Sequence, residues 1–253
     1  MNPEIVKGGI TLADQITTTQ TDAVDLPVIR QTPQPTVADQ VFDVLQQRIL
    51  TLDLPPQTKI SEAEVARKMG VSRQPVREAF KRLAKLGFLD IRPQSGTTVS
   101  LISESAVLRA HFIRTALEVR TCRTACALRT DAGLDRLEEL IAGQQAAVAR
   151  NDREAFHALD DRFHKEICGM AGAPFAWDMI QEIKAHIDRI RMISLDQSSQ
   201  QLALKEHLAI RDAIAAQQPD AAEAALTGHL SRILTVIAEV KAQRHEFFRY
   251  GPA

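Results

Sequence analysis

Apolar residues recur at helical spacing over two long stretches of this chain, separated by a short segment that alternates instead. From Thr36 to about Leu52, Val37, Val41, Val44, Leu45 and Ile49 fall on one side of a helix. Val65 and Met69 form the inner face of a shorter one, running from Ser61 to a closing Gly70. Val76, Phe80 and Leu83 do the same for a third, with Gly87 ending it. Phe88–Ile91 and Thr97–Ser100 then read as two short strands joined through Arg92-Pro93-Gln94-Ser95-Gly96, a hairpin of the wing type. Beyond Ser103 only helices are expected. The first carries Phe112, Leu117 and Val119, and the second carries Leu134, Leu137, Leu140 and Ile141. Asn151 with Glu154 resembles a capping box, while Pro174 and Pro219 each open a further helix. These breaks give about six antiparallel helices, an orthogonal or up-down bundle.

Caps and charge give the first stretch a chemistry. Ser61 with Glu64 fits a capping box, and Ser72 is placed to cap the third helix, with Pro75 in its first turn where a missing N–H does little harm. Two short helices around Gly70-Val71 make a helix-turn-helix. Arg73 and Arg77 project from one side of the second helix's opening turns. There a guanidinium can grip the O6 and N7 of guanine with two hydrogen bonds. From Arg67 to Arg92 eight basic side chains stand against two acidic ones, while the whole chain carries a net charge of −1. The positive field is thus concentrated where phosphate contact needs it. Arg67, Ser72, Arg73, Gln74, Pro75 and Arg77 are the expected DNA-facing residues of the helices. In the wing, Arg92 can meet phosphate or the minor groove, and Gly96 lets backbone approach DNA closely.

Composition narrows the rest. With 253 residues, 45% hydrophobic and 4% aromatic, two helical domains suit the chain better than a β-sandwich. No apolar run approaches the roughly 18 residues of a membrane span, and the start lacks a secretory pattern. Of the three cysteines, Cys122 and Cys126 lie a helical turn apart and Cys168 stands alone, which fits buried thiols in a reducing cell interior. The expected location is the cytoplasm. Residues 1–35, with a threonine run at 17–19 and prolines at 27, 33 and 35, read as a mobile, slightly acidic tail. The expected layout is therefore a tail at 1–35, a DNA-binding domain at 36–100, a helical domain at 101–246 and a short tail at 247–253.

Val71-Ser72-Arg73-x-Pro75-Val76-Arg77-Glu78-Ala79 resembles the recognition-helix signature of the GntR family of bacterial transcription regulators, over about Thr36–Ser100. The resemblance implies a winged helix-turn-helix. Three places depart from it. Leu52 and Gln57 stand where the family often has glycines, and Ala63 stands where some relatives carry a DNA-contacting arginine.

In the helical half, Asp160 and His164 sit four apart and can reach one divalent cation together; His207 and His229 lie in other helical stretches that antiparallel packing around Pro219 brings near. Spacing alone makes this a weak signal, since the seven histidines are spread along the chain. Residues from about Ala106 to Gln243 nevertheless resemble the FCD domain of the FadR-type subfamily. The similarity lies in Arg114-x-x-Leu117-Glu118, Asp160-x-x-Phe163-His164, Glu206-His207-x-x-Ile210-x-x-Ala213-Ile214 and His229. It implies a divalent metal held by Asp160, His164, His207 and His229, zinc in the first place with nickel or manganese as alternatives. Asp161 and His157 are the nearest competitors for those roles. Ala173 replaces the family's asparagine before Pro174, so a helix cap is missing there.

Three histidines and one aspartate leave a divalent ion at about +1, a seat for an anion. Arg114 is the expected clamp for a carboxylate effector, with Arg189 and Arg191 as lesser candidates; pairing with Glu118 is the competing role for Arg114. The expected protein is a homodimeric regulator, in the first instance a repressor, binding operator DNA and a small organic acid and no membrane. Two rival readings are a metal-dependent hydrolase and an architectural DNA-binding protein without an effector.

Overall fold

A computed structural model describes residues 35–92 and 96–249. The expected N-terminal tail and the tip of the wing lie outside the described residues. Three helices and a small sheet come first: α1 (Val37–Leu50), β1 (Lys59–Ile60), α2 (Glu62–Met69), α3 (Arg73–Lys85), β2 (Leu89–Arg92) and β3 (Gly96–Val99). The sheet is antiparallel in the order β1-β3-β2, with Leu89 opposite Val99 and Arg92 opposite Gly96 at the base of the wing. β1 pairs Lys59 with Thr98. Two residues carry too little alternation to betray a strand, and sequence patterning did not find it.

Val41, Phe42, Leu45, Ile49, Val76, Ala79, Phe80, Leu83, Phe88 and Val99 form the core of this part. Phe80 is fully buried on α3, and its truncation to alanine is worth about 3–5 kcal/mol. Val37 and Val44, expected on the inner side of α1, face out, and Phe42 takes the place beside Val41 and Leu45. A helix this short buries a stripe only one or two residues wide, so neighbouring valines fall off its edge. Thr36 and Asp39 cap α1 reciprocally. Ser61 caps α2 through the Glu64 N–H, and Gly70 closes it at φ 66°. Ser72 occupies the cap position of α3, but its hydroxyl makes no capping hydrogen bond. The two positions that depart from the family's glycines, Leu52 and Gln57, both adopt positive φ, at 65° and 69°. Each bears the strain that glycine avoids. Gln57 gains a contact in return, its Nε2 donating to the Glu246 carbonyl at 3.3 Å.

Six helices follow: α4 (Glu104–Leu128), α5 (Asp131–Ala149), α6 (Arg153–Met170), α7 (Pro174–Ser194), α8 (Gln197–Ala215) and α9 (Pro219–Gln243). Ser103 caps α4, Thr130 caps α5 and Asp196 caps α8, each accepting a backbone N–H of the first turn. α6 starts differently from expectation. Asp152 caps it through the Ala155 N–H at 3.0 Å, while Asn151 sits at φ 52° in the turn before. α7 opens on Pro174 with no side-chain cap, as Ala173 implies. α4 packs on α6, α7 and α9, α5 on α6 and α8, and α8 on α9. Phe163, Ile167, Ile210, Leu226 and Leu230 fill the centre with Cys122 and Cys126. Burial pushes the Cys122 thiol up to about 12 and Cys168 to about 11, which makes them inert packing groups. Phe112, expected among the apolar positions of α4, is 74% exposed. Of the expected C-terminal tail, Phe248 is buried and forms a parallel bridge with Ile102. The chain beyond Arg249 lies outside the described residues.

The helical half meets the winged helix along α7. Ala185 joins the core of the winged helix, and His186 stacks on Phe88 with ring centroids 5.0 Å apart. Gly87, at φ 80°, leaves room for that imidazole: an added Cβ would lie 3.3 Å from it.

Candidate functional site

Two groups of residues carry chemistry, one at the surface and one in the interior. At the surface, α3 presents Arg73, Gln74 and Arg77 to solvent, with Ser72 before them and Arg67 on α2 also exposed. Pro75 is half-buried at the start of the same helix. Gln74 Nε2 donates to Glu78 at 3.1 Å, and Arg77 Nε donates to Glu62 at 3.2 Å, its terminal nitrogens having no hydrogen-bond partner among the described residues. Arg92 and Gly96 flank the wing tip, both exposed, with Gly96 at φ 92°. Arg82 is taken up structurally: it pairs with Asp39 at 2.7 Å and lies 4.1 Å over the Phe42 ring.

In the interior, α6 supplies Asp160 and His164, α8 supplies His207 and α9 supplies His229. All four are buried, and one ligand atom from each lies within 4.8 Å of the others. His207 Nε2 stands 3.4 Å from His229 Nε2 and 3.4 Å from Asp160 Oδ1; His164 Nε2 stands 3.9 Å from Asp160 Oδ2. The outward nitrogens have partners of their own. His207 Nδ1 lies 2.8 Å from Gln144 Oε1, His229 Nδ1 lies 2.7 Å from Glu206 Oε2, and His164 Nδ1 lies 2.6 Å from Glu118 Oε2. Gln144 and Glu206 each fix a proton on Nδ1 of the ring they face, so the Nε2 lone pairs of His207 and His229 turn inward toward Asp160 and His164. Lone pairs facing each other at 3.4 Å cannot hydrogen-bond, and the His164 ring nitrogens have no aligned hydrogen-bond partner among the described residues.

Electrostatics agree with ligand forms. Burial holds His207 well below the usual imidazole range, with His229 adding to it and Asp160 opposing. Burial likewise brings His229 down to about 4 against the pull of Glu206. Both are neutral at physiological pH, as coordination requires. Burial would raise Asp160, but the Arg191 charge and hydrogen bonds outweigh it and keep the carboxylate ionised. A carboxylate and three converging imidazoles, with Gln144 and Glu206 behind His207 and His229 and Glu118 beside His164, fit a divalent cation of the zinc class.

The arginines fall out differently from expectation. Arg114 is anchored through Nε to Glu118 on its own helix, yet its Nη2 is buried without a hydrogen-bond partner among the described residues. Arg191, a lesser candidate by sequence, is the one on the centre: it grips Asp160 with two nitrogens at 2.6 and 2.7 Å. Arg189 points away and donates to the Ser100 carbonyl at 2.8 Å. A cavity of about 50 Å³ opens beside the cluster, lined by Arg114, Arg191, Ser194, Ser199, His229 and Arg232 with Ile187, Leu230 and Ile233 as its apolar wall. His157 and Asp161 join Asp160 in a second group with ligand geometry, but the Lys184 ammonium sits 2.9 Å from Asp161 and fills that role. Glu118, Gln144, Glu206 and Arg191 went unread in the sequence as supports of the centre. Glu206 precedes His207 directly, which is a usable signal; Gln144 offers none.

A winged helix-turn-helix joined to a six-helix domain with a buried His/Asp centre defines a class of two-part DNA-binding regulators. Residues 37–99 match the family described as bacterial regulatory proteins, gntR family, and residues 110–232 match the FCD domain. The chain is 36% identical to the HTH-type transcriptional repressor RspR of Escherichia coli K12, over 85% of this chain and 95% of the relative. It is 32% identical to a probable D-xylose utilization operon transcriptional repressor of Paenarthrobacter nicotinovorans, over 80% and 89%. The solved structure of E. coli McbR/YncC superposes with a TM-score of 0.70 at 20% identity, covering 81% of this chain and 99% of that one, and shares the fold. The chain belongs to the GntR family of transcription regulators and carries an FCD domain. It is a DNA-binding regulator of transcription, and the hydrolase reading falls. Among the described residues no helix is long and apolar enough to cross a membrane.

Proposed function

We propose that this regulator is a metabolite-responsive repressor whose helical domain holds a divalent metal, zinc first, on Asp160, His164, His207 and His229, and takes a small carboxylate effector beside it. The convergence of one ligand atom from each of the four buried residues within 4.8 Å, with the Nδ1 atoms of His207 and His229 engaged outward, carries this reading. A bound divalent ion supplies an electrophilic seat for a carboxylate. The chain's own residues do the rest. Arg114 offers its unpartnered buried Nη2, and Arg191 and Arg232 add positive charge around the same cavity. The small volume suits the head of an organic acid, since in the same measure one water needs about 10–15 Å³. Repression accords with the relatives whose names carry that word.

In this reading Arg73, Gln74 and Arg77 read base edges, while Arg67, Ser72, Pro75, Arg92 and Gly96 set the helix and wing against phosphate or groove. Two copies engage half-sites one helical turn apart, and the effector changes operator affinity because it binds the two domain arrangements unequally. The test is metal analysis of the purified protein, followed by a thermal-shift screen of organic acids on loaded and chelated samples. Stoichiometric metal, lost in His207→Ala, and an acid that stabilises only the loaded protein are expected. A protein that purifies without metal and takes up none on dialysis against zinc overturns the reading.

A further inference from the structure

Helix α7 has two buried faces, and each is turned to a different part of the molecule. At 100° per residue, Lys184, Asp188 and Arg191 fall within about 60° of one another on one side, and Ala185, His186 and Arg189 cluster on the opposite side. The first face grips α6 at two consecutive acids: Arg191 holds Asp160 with two hydrogen bonds, and Lys184 holds Asp161 while also pairing with Asp188. The second face belongs to the winged helix. Ala185 lies in that domain's core, His186 stacks on Phe88, and Arg189 donates to the carbonyl of Ser100. Ser100 directly follows β3, and its own N–H donates to the Phe88 carbonyl at 2.9 Å. The residue that Arg189 holds is thus hydrogen-bonded to the residue that His186 stacks on.

Arg189 is unusual for a bundle residue. It is 1% exposed, its Nε has no hydrogen-bond partner among the described residues, and burial pulls it down to about 10. A guanidinium buried on a single peptide carbonyl is a costly filler, because its desolvation is offset by one bond only. As a directional tether on the interdomain link it has a use that an apolar side chain lacks. We propose that α7 is the transmission element of this regulator: Arg191 senses the state of the buried centre, and Arg189 is the positioning residue that passes it to the winged helix through Ser100. This rests on reading the cluster as the sensing centre. An anion in the cavity, which Arg191 also lines, competes with Asp160 for that guanidinium. Arg189 lies two residues away, about 3 Å along a stiff helix, so a shift of Arg191 moves the tether with it.

Hydrogen–deuterium exchange on the full-length protein tests this. Wild type, Arg191→Gln, Arg189→Met and Arg189→Lys are compared, each as purified and after chelation, with metal content measured on the same samples. Arg191→Gln is expected to speed exchange at residues 86–90 and 100–102 about tenfold while leaving the core of α5 unchanged, the scale of one charged hydrogen bond. Arg189→Met should give the same fast exchange at those segments and make it indifferent to chelation, with metal content intact. Arg189→Lys, which still donates, should restore part of the protection. Should Arg191→Gln unfold, Arg191→Lys is read instead, since it keeps the charge and loses the two-pronged grip. Exchange at 86–90 and 100–102 that matches wild type in the Arg191 variant overturns the proposal. So does a loosening spread equally over α5. A metal-free protein refutes the sensing centre through its metal content, and the Arg191 comparison still decides the coupling.

Discussion

The two halves of this regulator place their charges under opposite conditions. On α3 the guanidinium groups of Arg73 and Arg77 stand in water, lightly held, with Glu62 alone among the described residues against one of them. In the helical domain Arg114, Arg191 and Lys184 are withdrawn from solvent, and each is matched to a carboxylate. Exposed charges cost little to place and contribute little to folding, so such a surface is free to be shaped by a partner. Buried charges are stable only as complete sets, and losing one member strands another. The first arrangement suits recognition. The second suits a state that is either whole or broken, which is what a sensor requires.

The sharpest break in that comparison comes from removing one cation on each side. In chelated protein, Arg191→Ala leaves Asp160 buried without its partner and should cost about 3–5 kcal/mol in urea unfolding, whereas Arg77→Ala should stay within about 0.5 kcal/mol of wild type. Equal costs would mean that the interior set is no more cooperative than the surface one.

Acid should also separate the halves. His229 is held at about 4 in the folded protein and near 6.5 when unfolded, so below pH 6.5 the unfolded chain binds more protons. The stability of chelated protein is therefore expected to fall as pH drops from 6.5 towards 4. Asp160 and Glu118, both depressed in the fold and Glu118 to about 2, withdraw a further share as pH falls below about 4.5. A melting temperature followed against pH checks this, and His229→Gln should flatten the upper limb.

A smaller effect is expected at that face. Arg73→Ala or Arg77→Ala should weaken operator binding by about 1–3 kcal/mol and relax base preference at one position of each half-site. Competition with randomised duplexes at fixed salt measures it, and retained specificity with weaker binding would reassign the residue to phosphate. The smallest effect concerns backbone strain in the turn before the sheet. Leu52→Gly should stabilise the protein by about 1 kcal/mol by relieving a positive φ, and Gln57→Gly by less, because the contact to Glu246 is lost. Thermal unfolding that ranks the two the other way would locate the strain elsewhere.

Much of the winged helix was legible because its signals are local. Ser61, Gly70 and the Val76–Phe80–Leu83 stripe each act within a few residues of themselves. The misses there, Val37, Val44 and the strand β1, lie where a stripe is narrow or an element has only two residues. In the helical half the helix starts at Ser103, Pro174 and Pro219 were equally plain, while Asn151 was mistaken for the cap that Asp152 makes. The centre was less legible. Asp160 and His164 share a helix turn, but nothing in their spacing specifies His207 and His229, and a family resemblance had to supply them.

By itself, the order of residues determined where most helices begin and end and which half would carry cationic side chains to the surface. Only the tertiary structure decided that Arg191 rather than Arg114 meets Asp160, that Gln144, Glu118 and Glu206 orient the three imidazoles, and that α7 touches both halves. The physical reason is range. Capping, helix periodicity and exposed charge are settled by neighbours along the chain, whereas a buried polar group is satisfied by whichever helix arrives beside it, often from many residues away.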